Sequence, residues 1–471
     1  MYALNVSDYA VNINYTTLAV CISYILINFR YFTNFLKLEP VFSLLLPSIL
    51  LPFLVLLAYC IPFVWALFDK EFRLTHFSLE HLETAVIIAF VSTTLLLIGI
   101  VVGRRNLFSR FFASPVDRSM DLIFFDQLGD TITLILVIAD ILVFPFAFAL
   151  KIELIFGSGI RGLVVDNEVL FRLVPFARIL LSIFTIISGM IFAYRPSNKI
   201  IFIIPFLDTL QQLLKLSRAF FLPIVLFGIA STFAGKKWPK WIYYMAPIGA
   251  VIGGSAAIGA RKVSGQGLSG ISAGFGQVNS DMIDSIRNFF EANAVIGIIS
   301  TVARFRDDSR NLLDGALAWI QSILPIPTFF ELTGSHLSVA ALLKIKHAGI
   351  PMPALGEIFF QMGWIGLGLF FVFGFVLGKI EGKLIGHTLI CGKAYWPDIL
   401  IWMSLLFCFI LSLHSPSRSA SRLFVYSVLF IWAVKNFIIP NSQTKLAKHK
   451  TSIKSTKNHQ NRRKRYENYA E

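Results

Sequence analysis

Apolar residues in this chain come in long runs, near 10–29, 41–66, 85–102, 131–150, 174–194, 199–215, 219–235, 241–260, 357–379, 398–414 and 420–438. A helix needs about 20 mostly apolar residues to cross a bilayer, so the pattern predicts about eleven transmembrane helices. Between the eighth and ninth runs, residues 261–356 are too long for a simple connection and predict a loop outside the membrane. Two stretches inside it, FFEANAVIGIISTV and LLDGALAWIQSILPIPTFF, are apolar but short and interrupted, which predicts amphipathic or interfacial helices. The expected fold is an all-α polytopic integral membrane protein. It divides into N-terminal transmembrane helices (1–260), the long loop (261–356), C-terminal transmembrane helices (357–440) and a basic disordered tail (441–471). No internal repeat is visible, which disfavours a transporter built from two inverted halves.

Composition supports a chain dissolved mainly in lipid. Only 15% of residues are charged and 56% are hydrophobic, with mean hydropathy +0.71, whereas soluble domains carry about 25% charge. Soluble-enzyme and secreted-disulfide readings fall away. The net charge of +15 does not imply a nucleic-acid partner, because much of it sits in the tail, from Lys445 to Arg465. A cytoplasmic tail touching anionic lipid explains it. Short basic connections at Arg104, Arg105, Arg110 and Arg118, at Arg195 and Lys199, at Lys236, Lys237 and Lys240, and at Lys379, Lys383 and Lys393 fall on the same side as the tail if eleven spans alternate. The positive-inside rule then makes that side cytoplasmic and places the N-terminus and the long loop outside. The N-terminus lacks a basic signal-peptide region, so insertion is expected to use the first span. Cys21, Cys60, Cys391 and Cys408 are scattered and imply neither metal nor disulfide.

Few residues carry chemistry. Gly265, Gly267 and Gly270 form a GxGxxG, but without a strand before it the stretch reads as helix packing and a loop. Arg161, Arg172, Arg178, Arg218, Arg261, Arg287, Arg304, Arg306, Arg310, Arg418 and Arg422 all fall at or near the outer face, where positive charge should be depleted. Guanidinium groups match phosphate oxygens in pairs, so the excess points to a phosphate or carboxylate ligand at the lipid surface. Snorkelling to headgroups and pairing with Asp307, Asp308 and Asp314 is the plainer reading of any one of them. RFRDDSR, 304–310, concentrates three arginines, and its two aspartates lack further ligands for a metal. Glu357 opens an apolar run. It either complements a helix dipole or, at the lipid boundary, takes a proton from a sugar hydroxyl. Arg418 and Arg422 share a face if the last helix begins early. Asp140 and Asp208 are the clear acids inside apolar runs.

GEIFFQMGWIGLGLFFVFGFVLGKIEG, 356–382, resembles the signature of the Wzy-type oligosaccharide repeat-unit polymerases, and LSRAFFLPIVLFGIASTFAGKK, 216–237, resembles a segment that class shares with the O-antigen ligases. The specific motifs cover about a tenth of the chain. The resemblance implies a GT-C-like, metal-independent, inverting glycosyltransferase without a cofactor. It would work at the periplasmic face of the bacterial inner membrane on undecaprenyl-pyrophosphate-linked glycans, with membrane lipid and a chain-length regulator as partners and no nucleic acid. It makes Glu357 and Arg304 catalytic and Arg218 a pyrophosphate ligand, and the outer arginine excess adds Arg306, Arg310, Arg418 and Arg422 as further pyrophosphate ligands. An arginine followed eleven residues later by glycine, found in some members, is met by Arg304 and Gly315. His414 and Arg418 do not reproduce the ligases' spacing. A lipid-linked oligosaccharide flippase or other transporter is the alternative from a different class, and a ligase the alternative within the same one.

Overall fold

The computed structural model describes residues 22, 60–61, 79–111, 129–148, 150, 168–214, 217, 220–239, 241–242, 245, 249, 311–323, 354–391, 396–412, 417–434 and 436. Every regular element among them is helical. In chain order they are α1 (Leu79–Phe111), α2 (Gly129–Val143), α3 (Glu168–Tyr194), α4 (Ile203–Leu214), α5 (Leu222–Phe233), α6 (Leu312–Ile323), α7 (Ala354–Gly366), α8 (Leu369–Cys391), α9 (Trp396–Ser412) and α10 (Ser417–Ala433). Short 3-10 turns extend α2 through Phe144–Phe148 and lead into α4 through Lys199–Phe202.

The outer surface differs from that of a soluble protein. On α2, Leu134, Ile135, Ile138, Ile141 and Leu142 are exposed while Thr133 and Asp140 are buried. Apolar side chains outside and polar ones inside is the arrangement a lipid solvent stabilises. Hydroxyl groups on these helices satisfy themselves locally: Ser92 donates to the Ile88 carbonyl at 2.6 Å, Thr133 to Gly129 at 2.7 Å and Ser404 to Leu400 at 2.6 Å. In a medium without water that bond removes the cost of burying a serine or threonine.

Two helices far apart in sequence form the tightest seam. A Cβ at Gly99 or Gly103 of α1 would run into the carbonyls of Phe371 or Phe375, and one at Gly374 or Gly378 of α8 into those of Leu96 or Ile100. Each helix thus carries a small-xxx-small pair facing the other, which lets the backbones touch. The register rises together, Leu96 beside Gly374 and Ile100 beside Gly378, so the helices run parallel. At its end, Arg104 Nε donates to Glu381 Oε2 at 3.1 Å, and Glu381 is fully buried. Next to it, Lys383 Nζ donates to Asp398 of α9 at 2.8 Å.

The second group is built on α3, whose residues 181–192 are all buried. It packs against α2, α4 and α5. Arg195, just past its end, is ion-paired with Asp130 at the start of α2, so α2 and α3 are antiparallel. Phe192 meets Phe202, Phe227 and Trp238 at ring separations of 4.9, 5.5 and 5.8 Å, with Lys236 Nζ 5.1 Å from its centroid. Phe233 of α5 meets Trp402 of α9 at 4.7 Å, joining the two groups. Arg104, Arg195, Lys236, Lys379 and Lys383 therefore gather at one end of the assembly, each beside an acid or an aromatic ring.

Among the described residues three helices are long and apolar enough to cross a membrane, Thr84–Arg104, Gly129–Phe148 and Leu173–Tyr194. They match the runs expected at 85–102, 131–150 and 174–194. The span expected at 357–379 is not one helix. It breaks between α7 and α8 with a bend of 102°, and counts as a fourth crossing only if the bent pair is taken together. Gly363 adopts φ 63°, ψ −149°, a conformation side chains resist, and Gly366 and Gly368 follow at once. The runs at 199–215 and 219–235 also fall short as single helices. α4 and α5 have 12 residues each, about 18 Å of helix against a hydrocarbon core of about 30 Å. α9 and α10 correspond to the last two runs, at 17 residues each. The runs at 10–29, 41–66 and 241–260 lie outside the described residues apart from isolated positions.

Candidate functional site

Opposite the basic end, α6 bridges α7 and α10. α6 begins where RFRDDSR stops: the Asn311 side chain caps it, its Oδ1 accepting from the Leu313 amide at 3.1 Å. Asp314 in the first turn favours the positive helix end. Gly315 lies against the Gln361 carbonyl of α7, where any Cβ would collide. At the other end of α6, the Ile323 carbonyl accepts from Ser421 Oγ of α10 at 2.7 Å. Leu313, Leu317 and Ile320 are exposed while Trp319 is buried, with its ring 6.0 Å from that of Phe373. The short amphipathic helix expected inside the long loop is therefore present, clamped between α7 and α10.

Glu357 sits in the first turn of α7, partly buried, and is engaged by a neighbour. Helix α10 does begin early, at Ser417, so Arg418 and Arg422 are four apart within one helix. Arg422 is partly buried and also engaged. α7 and α10 touch each other as well as α6, so the helices carrying Glu357 and Arg422 are in contact. Arg218, Arg304, Arg306 and Arg310 lie outside the described residues, as does the side chain of Arg418.

Sequence reasoning underrates Arg178. It lies on α3 two residues beyond Phe176, whose ring packs on Tyr426 of α10 at 4.6 Å. Its Nε is buried and has no hydrogen-bond acceptor. A guanidinium holds five donors in a rigid fork, and leaving one dry and unpaired is costly. The signal is its position inside an apolar run, though the run alone does not reveal which neighbours it meets.

Pro175 precedes it within α3. A proline there removes one backbone donor and leaves the carbonyl four residues earlier without its helical partner. No protein-family model matches the chain, and no curated protein or solved structure is detectably similar to it. Function therefore has to be argued from these side chains. Chemically, α10 carries a guanidinium group and touches α7, which carries a carboxylate, and α3, which carries a second guanidinium. That is a setting for holding an anion while moving a proton.

Proposed function

We propose that the chain joins lipid-pyrophosphate-linked oligosaccharide repeat units into a polymer at the outer surface of the bacterial inner membrane. The acceptor hydroxyl attacks the anomeric carbon of the sugar attached to pyrophosphate. The new glycosidic C–O bond forms as the old one breaks, the electron pair leaves on the lipid pyrophosphate, and Glu357 takes the acceptor's proton. Arg178, Arg422 and Arg418, with Arg218, Arg304, Arg306 and Arg310 as further candidates, meet the charge that grows on the leaving pyrophosphate. The observation that carries the reading is the buried, unaccepted Nε of Arg178 on α3, close to the packing of Phe176 on Tyr426 of α10, the helix that also carries Arg422. An anion carrying several oxygens supplies what the neighbouring side chains do not.

The test is chain growth by the purified protein in lipid vesicles supplied with lipid-pyrophosphate-linked repeat units. Lengthening products that release lipid pyrophosphate support the proposal. Unit-length glycan unchanged beside an active control polymerase overturns it. A second reading, transport of a lipid-linked glycan, is favoured by one observation: Asp140 and Asp208 are fully buried inside the helix assembly. Movement of labelled lipid-linked glycan across the vesicle wall without any lengthening would select it.

A further inference from the structure

Away from the arginine end, α2, α3 and α4 enclose a second polar group. Asp140 of α2 is completely buried, and neither of its carboxylate oxygens accepts a hydrogen bond. Asp208 of α4, also completely buried, lies within electrostatic range of it and accepts from Thr185 Oγ1 of α3 at 3.1 Å. Gln211, one turn further along the same buried face of α4, is fully buried with both its amide oxygen and its amide nitrogen unpartnered. Ser188 turns its hydroxyl away, donating to the Thr185 carbonyl at 2.7 Å.

We propose that Asp140, Asp208, Gln211 and Thr185 form an oxygen-lined site for a small hard cation inside the helix assembly. Two carboxylates, an amide oxygen and a hydroxyl are the ligand types such ions take, at about 2.3–2.6 Å for calcium. The oxygens of Asp140 and Gln211 take no hydrogen bond from any side chain or backbone group around them. A cation answers several acceptors at once and balances buried negative charge. Thr185 can coordinate through a lone pair while still donating to Asp208. The local backbone fits: α2 tightens into a 3-10 turn four residues after Asp140 and α4 ends three residues after Gln211. Interrupted helices at membrane depth are where ion sites are built. The site is independent of the polymerase reading.

Thermal unfolding of the full-length protein in detergent tests it, with lithium, sodium, potassium, magnesium and calcium chlorides each compared with choline chloride at matched ionic strength. Binding predicts that at least one cation raises the midpoint saturably, by about 3 °C at a hundred times its dissociation constant. The selectivity among the five names the ion. Asp140→Asn should fold, since it removes a buried unpaired charge, and should lose the response. Gln211→Leu should weaken it. Equilibrium dialysis of wild-type protein against the radioactive form of that ion adds a reading that needs no variant, with about one ion per chain expected. A midpoint that no salt moves beyond choline, or a response and ion binding that survive in Asp140→Asn, overturns the site. So does a midpoint that follows pH alone.

Discussion

At the scale of single residues, Glu357 carries the sharpest expectation. A carboxylate that only complements the helix dipole is worth about 0.3–1 kcal/mol, so Glu357→Gln would leave polymer length near normal. A general base contributes a factor of about 10²–10⁴, so the proposed role predicts inserted protein that leaves repeat units unjoined. A size ladder of surface polysaccharide from a complemented deletion host decides between them. Arg178→Lys keeps the charge but loses the planar fork, and should depress chain growth nearly as far as Arg178→Ala in the same assay. Arg104 and Glu381 behave differently, as a structural pair. Arg104→Met leaves Glu381 buried without its partner and should destabilise the protein by about 3–5 kcal/mol. Adding Glu381→Met should restore much of that loss, which a thermal melt in detergent would record.

At the scale of elements, the seam between α1 and α8 depends on the absence of side chains. Gly374→Leu would force Leu96 and its helix away, since the obstacle is backbone that cannot swing aside. Loss of the folded, monodisperse peak in size-exclusion chromatography is the expected outcome, whereas Gly228→Ala, which meets open space, should be silent. Apolar runs make α1, α2 and α3 legible from sequence, because a stretch that long and apolar on every side finds a suitable solvent only in lipid. The break after α7 is less so. Gly363, Gly366 and Gly368 fall inside an apolar run long enough for one span, yet three glycines in six residues mark a place where the chain can turn. Length is the misleading cue at α4 and α5, where a continuous apolar run contains helices too short to cross. The Arg418 and Arg422 spacing is readable in advance. Gly315 stands out in the sequence for its distance from Arg304, and the structure gives it a different reason, the Gln361 carbonyl at its face. The meeting of Asp140 with Asp208 depends on how α2 folds back on α4, which no local pattern encodes.

At the scale of the whole molecule, the gathering of Arg104, Arg195, Lys236, Lys379 and Lys383 at one end gives the positive-inside argument a spatial form. Reporter fusions after Tyr194, Gly235 and Asn441 should read cytoplasmic, and one near Ser309 periplasmic. A cytoplasmic signal at Ser309 would put Glu357 and the arginines on the wrong side for a pyrophosphate donor presented outside.

The parallel pairing of α1 with α8 also bears on how the protein is made. Arg104 and Glu381 are 277 residues apart, so α1 enters the membrane long before its partner has been translated. At about 5–20 residues per second that interval is tens of seconds. Throughout it the Gly99 and Gly103 groove has nothing of its own chain to close on. A nascent chain halted before α8 should be an orphan that membrane quality control removes, and a separately expressed segment containing α8 should rescue it by docking in the waiting groove.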